Sequence, residues 1–163
     1  MSSHIASKKL LMECIYEHFA KDERFVLLAG DMGFAVLDKF FEDYPTRAFN
    51  LGINEQATVS IAAGLAKTGM RPIIYSQAPF ITMRAFEQLR YDVNEHNLDV
   101  KIIGVGVDNY FSALGRSHCM DDDDLPLIGI LKNIQILTPS IESVKSDVNK
   151  MFEVQTPFYI RSI

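Results

Sequence analysis

Short, uninterrupted apolar runs recur along the chain and alternate with segments of helical periodicity. They are Phe25 to Gly30, Ala48 to Asn50, Arg71 to Tyr75, Val100 to Val105, Ile134 to Thr138 and Phe158 to Arg161. A strand with one wet face alternates apolar and polar residues, whereas a continuous apolar strand is covered on both sides. Strands of the second kind separated by helices predict an α/β fold, a three-layer doubly wound arrangement with helices on both faces of a mostly parallel sheet. Helices are predicted over Ala6 to Ala20, Glu55 to Thr68, Thr82 to Asn94 and Ser140 to Phe152, with a weaker one near Asp122 to Leu131. Asn54 stands at the cap of the second, Gly69 closes it, and Pro139-Ser140 opens the last.

A chain of 163 residues fits a single domain, 1–163, with residues 1–5 expected to be flexible. With 48% hydrophobic and 23% charged residues, neither a disordered chain nor a disulfide-stapled scaffold is indicated. The net charge of -5 comes without any Lys/Arg cluster, which excludes nucleic acid as an expected partner. The apolar runs are too short to span a bilayer, and the N-terminus lacks the apolar core of a signal peptide, so a cytoplasmic protein without a membrane partner is expected. Cys14 and Cys119 have no metal-ligand or redox spacing and are expected to be free thiols, and no metal ligands are predicted in this chain.

In open α/β sheets ligands bind beyond the carboxyl ends of the strands. The loops expected there carry Asp31, the Asn54-Glu55 pair, Gln77 to Phe80, and the long stretch from Gly106 to His118. Glu55 opens a helix rich in small residues (Ala57, Ala62, Ala63, Gly64, Ala66) that is predicted to be buried on nearly every face. Taken alone, an acid in the first turn needs no role beyond complementing the helix dipole. Phe80 follows Pro79 and precedes Met83, Phe86 and Leu89 at helical spacing; the stripe reads as core, while Phe80 sits where a flat ring can stack on a flat ligand. Arg84, Glu87, Gln88, Arg90 and Asp92 read as a solvated or ion-paired face. His118 reads either as a proton shuttle or as an exposed loop histidine. Four consecutive carboxylates, Asp121 to Asp124, cannot converge on one ion from a single helical turn and read as a helix start.

Taken together, several stretches are more specific than any one of them. "LAGDMG" (Leu28 to Gly33), "PTRAFNLGINEQATVSIAAGLAKTGMRPI" (Pro45 to Ile73), "APFITMRAFEQLRYDV" (Ala78 to Val93), "GRSH" (Gly115 to His118) and "NIQILTPS" (Asn133 to Ser140) occur in order. With them the chain resembles the pyrimidine-binding domain of thiamine-diphosphate enzymes of the transketolase and 1-deoxyxylulose-5-phosphate synthase type. The resemblance implies that Glu55 hydrogen-bonds the ring nitrogen of the cofactor's aminopyrimidine and relays a proton to it. Phe80 would stack on that ring, with Asp31, Met83 and Phe86 as further cofactor-binding candidates. His118 would face the substrate and move protons to or from the alkoxide formed there.

Met83 departs from the further aromatics of the transketolase pattern. Leu114 and Arg116 stand in "ALGRSH", where an aspartate often precedes the family's glycine, and Pro126 interrupts a segment that is usually all helix. The G-D-G motif and downstream asparagine that hold the diphosphate and its magnesium have no counterpart here, nor does the usual C-terminal domain. The resemblance therefore implies a pyrimidine-binding subunit or excised domain of a split transketolase-like transferase, performing two-carbon ketol or acyl transfer. It would be inactive alone, share thiamine diphosphate with an N-terminal, diphosphate-binding partner subunit that holds the magnesium, and self-associate through this domain. A catalytically idle assembly or regulatory module of the same fold is the alternative, and a phosphate-binding flavodoxin-like domain fits worse because "AGDMGF" makes a poor phosphate loop.

Overall fold

The computed structural model describes residues 4–163. Six parallel strands form one sheet in the order β2-β1-β3-β4-β6-β5: β1 Phe25–Ala29, β2 Ala48–Asn50, β3 Arg71–Gln77, β4 Lys101–Val105, β5 Gln135–Leu137 and β6 Phe158–Ser162. All six lie on the apolar runs read from the sequence. Alternate residues of the buried strands feed two separate cores, as the two-residue strand period requires. Phe25, Leu27 and Ala29 join Ile73, Tyr75, Ile103 and Ile160 on one face; Val26 and Leu28 join Ile74, Ile102 and Tyr159 on the other.

The first core is closed by α1 (Lys8–Phe19), α2 (Asp38–Asp43) and α6 (Val144–Glu153). In α1 the buried residues Leu11, Met12, Ile15 and Phe19 repeat at helical spacing, and the Ser7 hydroxyl accepts from the Leu10 amide to cap its first turn. The second core is closed by α3 (Glu55–Lys67), by the segment from Phe80 to Asn94, which includes α4 (Phe86–Gln88), and by α5 (Asp124–Gly129). Ile5, within the stretch expected to be flexible, forms an antiparallel bridge with Ser140, while residues 1–3 lie outside the described residues.

Five helical expectations change. Only one face of α3 is buried (Glu55, Thr58, Val59, Ala62, Ala63), and Ser60, Ile61 and Gly64 are exposed. The Asn54 side chain does not cap α3; the Thr58 hydroxyl donates back to the Asn54 carbonyl at 2.8 Å instead. Gly69 does end α3, at φ +90°, with Gly69 N–H bonded to Ala66 O and Met70 N–H to Leu65 O, the paired bonds of a Schellman turn.

The segment expected as a helix over Thr82 to Asn94 is helical from residue 78 and is wound as a π-helix over Phe80–Arg84 and again over Leu89–Asn94. Buried Thr82 donates its hydroxyl to the Ala78 carbonyl at 2.7 Å, a local bond that competes with α-helical pairing. The six-residue α2 was not expected; a single buried residue, Phe40, is too little periodic signal. Pro126 causes no break because it falls in the first turn of α5, where its missing N–H is not needed.

At the amino ends of β3 and β4, Arg71 pairs with Asp99 at 2.7 Å and donates to Phe152 O, while Lys101 pairs with Asp99 and donates to Val154 O and Thr156 O. This clamp holds the link between α6 and β6. Burial lowers the Lys101 amine to about 8, against the stabilising pull of Asp99. Between that value and the ordinary lysine range the unfolded chain binds the extra proton, so this group makes stability rise with pH. Urea midpoints at pH 8 and pH 9.5 are expected to show the rise, at most about 1.4 kcal/mol per pH unit. In Lys101→Met the rise should vanish; an identical slope in the variant would refute the assignment.

Candidate active site

A cavity of about 190 Å³ opens at the carboxyl ends of the strands, lined by Gly30, Asp31, Met32, Ile53, Glu55, Ser76, Gln77, Phe80 and His118. Its walls come from the loops after β1, β2, β3 and β4, which are adjacent in the sheet. The chain leaves β1 toward β2 on one side and the β3–β4 pair lies on the other, so the cavity straddles the point where strand order reverses.

Glu55 enters from the first turn of α3 with its side chain 2% exposed. Arg84 Nη1 donates to Glu55 Oε2 at 2.7 Å, which compensates a carboxylate removed from water. Phe80 stands at the first turn of the π-wound segment, with the Arg84 guanidinium carbon 4.5 Å from its ring centroid. His118 meets the same ring edge-on, at 5.1 Å between centroids. Ser117 Oγ lies 3.1 Å from His118 Nδ1, so the serine can fix which ring nitrogen carries the proton. Among the described residues Gln77 Oε1 is buried without a hydrogen-bond partner. A wall with a buried carboxylate, an orphan acceptor and an aromatic face suits a flat heterocycle that both donates and accepts hydrogen bonds.

Asp31 lines the cavity in a left-handed conformation, φ +51°, and is tied across to the β2 loop by Asn50, whose Nδ2 donates to Asp31 Oδ1 and whose Oδ1 accepts from Asp31 and Gly52 amides. Met83 is half exposed and Phe86 packs on the second core; neither lines the cavity. Arg116 is exposed on the loop beside His118. Sequence reasoning missed Arg84 as a partner of the site. Its only local signal is the four-residue spacing from Phe80.

A second, larger cleft of about 480 Å³ lies between α1 and α2, lined by Lys9, Glu13, Tyr16, Lys39 and Glu42 among others. It shares no wall with Glu55, Phe80 or His118. Size alone does not make it the site of chemistry. Among the described residues no group of three or more His, Cys, Asp or Glu side chains is arranged to hold a metal ion, and no helix is long and apolar enough to cross a membrane.

A parallel sheet with this site at its reversal point is the architecture of a cofactor-binding α/β domain. Residues 3–160 match the family model described as the transketolase pyrimidine-binding domain, and the chain belongs to that family. It is 33% identical over 139 residues to one subunit of the apulose-4-phosphate transketolase from Actinobacillus succinogenes, a match covering 83% of this chain and 43% of that protein. It is 30% identical over 162 residues to 1-deoxy-D-xylulose-5-phosphate synthase from Nitrosomonas europaea, covering 98% of this chain and 26% of the enzyme. Among solved structures, a split-gene transketolase described as an inactive β4 tetramer superposes with a TM-score of 0.81 at 31% identity, over 96% of this chain and 51% of that one. The chain spans about half the length, or less, of these relatives. It is thus homologous to the pyrimidine-binding subunit of split transketolase-like enzymes.

Proposed function

We propose that this chain carries the pyrimidine half of a thiamine-diphosphate site in a split transketolase-like transferase of carbohydrate metabolism, acting in the cytoplasm. The observation that carries this reading is the meeting of Glu55, Phe80 and His118, from three different strand-end loops, around one cavity. The fit to the aminopyrimidine rests on three features. The cavity is below the roughly 300 Å³ at which complete small-molecule sites begin, so it suits one ring rather than a whole cofactor. Phe80 supplies a stacking face. Glu55 and the orphan Gln77 Oε1 supply a proton-exchanging group and an acceptor for an amine.

When bound, thiamine diphosphate would supply the nucleophilic carbon for two-carbon transfer. Glu55 would hold and exchange a proton at the pyrimidine ring nitrogen, in a cavity that keeps the carboxyl group away from bulk water. Phe80 would orient the ring. His118 would donate to, or take a proton from, substrate oxygen at the cavity mouth. The diphosphate and magnesium belong, on this reading, to an N-terminal, transketolase-type partner subunit, and the exposed Ser60–Ile61–Gly64 face of α3 is the surface for self-association. The likeness to a split transketolase whose β chains alone form an inactive tetramer favours a chain inactive by itself.

The test is reconstitution. Mixed with the diphosphate-binding subunit, thiamine diphosphate and magnesium, the chain should give ketol transfer that neither subunit gives alone. A complex that forms and binds thiamine diphosphate without turnover would favour the idle regulatory module instead.

A further inference from the structure

Glu55 lines the cavity but its ion-pair partner does not: Arg84 stands outside the wall and reaches two of its members at once. One N–H of the guanidinium bonds Glu55 Oε2, while its carbon lies 4.5 Å from the centroid of the Phe80 ring. Among the described residues no hydrogen bond reaches the other carboxylate oxygen, Oε1. The arginine side chain is 45% exposed. The arginine end of the pair is open to water while the Glu55 side chain is 2% exposed, so the guanidinium compensates a buried carboxylate and, because it holds only one of the two oxygens, also orients it. A guanidinium can do what an ammonium cannot: direct one edge at a carboxylate and lay its plane against a ring.

We propose that Arg84 is a positioning residue of this site. By holding Oε2 and backing Phe80 it sets the carboxylate and the aromatic wall in a fixed mutual orientation, and leaves Oε1 for the bound heterocycle. Four residues apart on one helical segment, Phe80 and Arg84 are neighbours, and Arg84 reaches across to Glu55 at the start of α3. The inference rests on the pyrimidine-site reading above. The opposite possibility, a guanidinium that occupies the ligand's place and must be displaced, predicts an effect of the opposite sign.

The experiment is calorimetric titration of thiamine diphosphate, with magnesium, into the complex of this chain and its diphosphate-binding partner. Five forms are compared: the natural chain, Arg84→Met, Arg84→Lys, Glu55→Gln and the Arg84→Met/Glu55→Gln double variant. Methionine keeps apolar bulk against Phe80 but removes the fork. Arg84→Met should weaken binding at least fivefold and lower the thermal midpoint, because it leaves the Glu55 carboxylate buried and unpaired, while Arg84→Lys, which keeps a cation there, should restore the midpoint but recover only part of the binding. In the Glu55→Gln background the same change should weaken binding less than twofold, since coupled residues are not additive. An unchanged Kd in Arg84→Met, or equal losses in both backgrounds, overturns the positioning role. Tighter binding also overturns it, in favour of the displaced guanidinium. If the natural complex does not bind thiamine diphosphate, the pyrimidine-site reading itself fails and Arg84 loses its role with it.

Discussion

Asp124→Ala should lower stability by about 3–5 kcal/mol. Asp124 is fully buried, and its Oδ2 accepts from the Tyr159 hydroxyl at 2.7 Å and from Arg161 Nε at 2.9 Å. Alanine would leave the Tyr159 hydroxyl without a partner. Arg161, 4% exposed, would keep only Asp122 and the Asp121 carbonyl. Breaking a buried pair costs more than the pair contributes, because the surviving charge stays out of water. Against a total stability of about 5–15 kcal/mol this is a large fraction. The thermal midpoint should fall by roughly 6–20 °C. The same anchors hold the chain just after Met120, so amides of residues 107–119 should exchange faster in the variant. A loss below about 1 kcal/mol in urea unfolding would show that the buried network is not what holds this end of the sheet.

That network also marks where sequence reading stops. Every strand was legible, because a continuous apolar run needs no information beyond itself. The two-sided burial of Phe25–Ala29 and Lys101–Val105 is what such runs require. Asp124 was legible only as one acid in a helix-start run, since the residue that makes it a buried anchor lies 37 positions away. Glu55 and Arg84 are likewise separated by 29 positions, and each has a sufficient local explanation, a dipole charge and a solvated face. The π winding around Phe80 was hidden for another reason: apolar spacing reports which side of a helix is buried, not where a threonine hydroxyl diverts a carbonyl. Resemblance across several ordered motifs named Glu55, Phe80, His118 and Asp31, which line one cavity. It also named Met83 and Phe86, which belong to the same helical segment but turn to solvent and to the second core.

Glu55→Ala should reduce turnover of the reconstituted complex by about a hundredfold or more, the range in which a positioned acid–base group contributes. The size of the effect follows from position. Among the described residues the carboxylate is the only acid in the cavity wall that is shielded from solvent, because the Asp31 at the same wall is exposed. Water cannot replace it without losing the orientation that Arg84 and the first turn of α3 impose. The fold should survive, which separates this result from unfolding. Arg84 is 45% exposed and finds water when its partner is removed, unlike Arg161 after loss of Asp124. The thermal midpoint of Glu55→Ala should therefore stay within a few degrees of the natural chain while turnover collapses. Turnover that persists at more than a tenth of the natural rate would remove Glu55 from proton transfer, and would leave its burial at the mouth of α3 as a matter of helix charge alone.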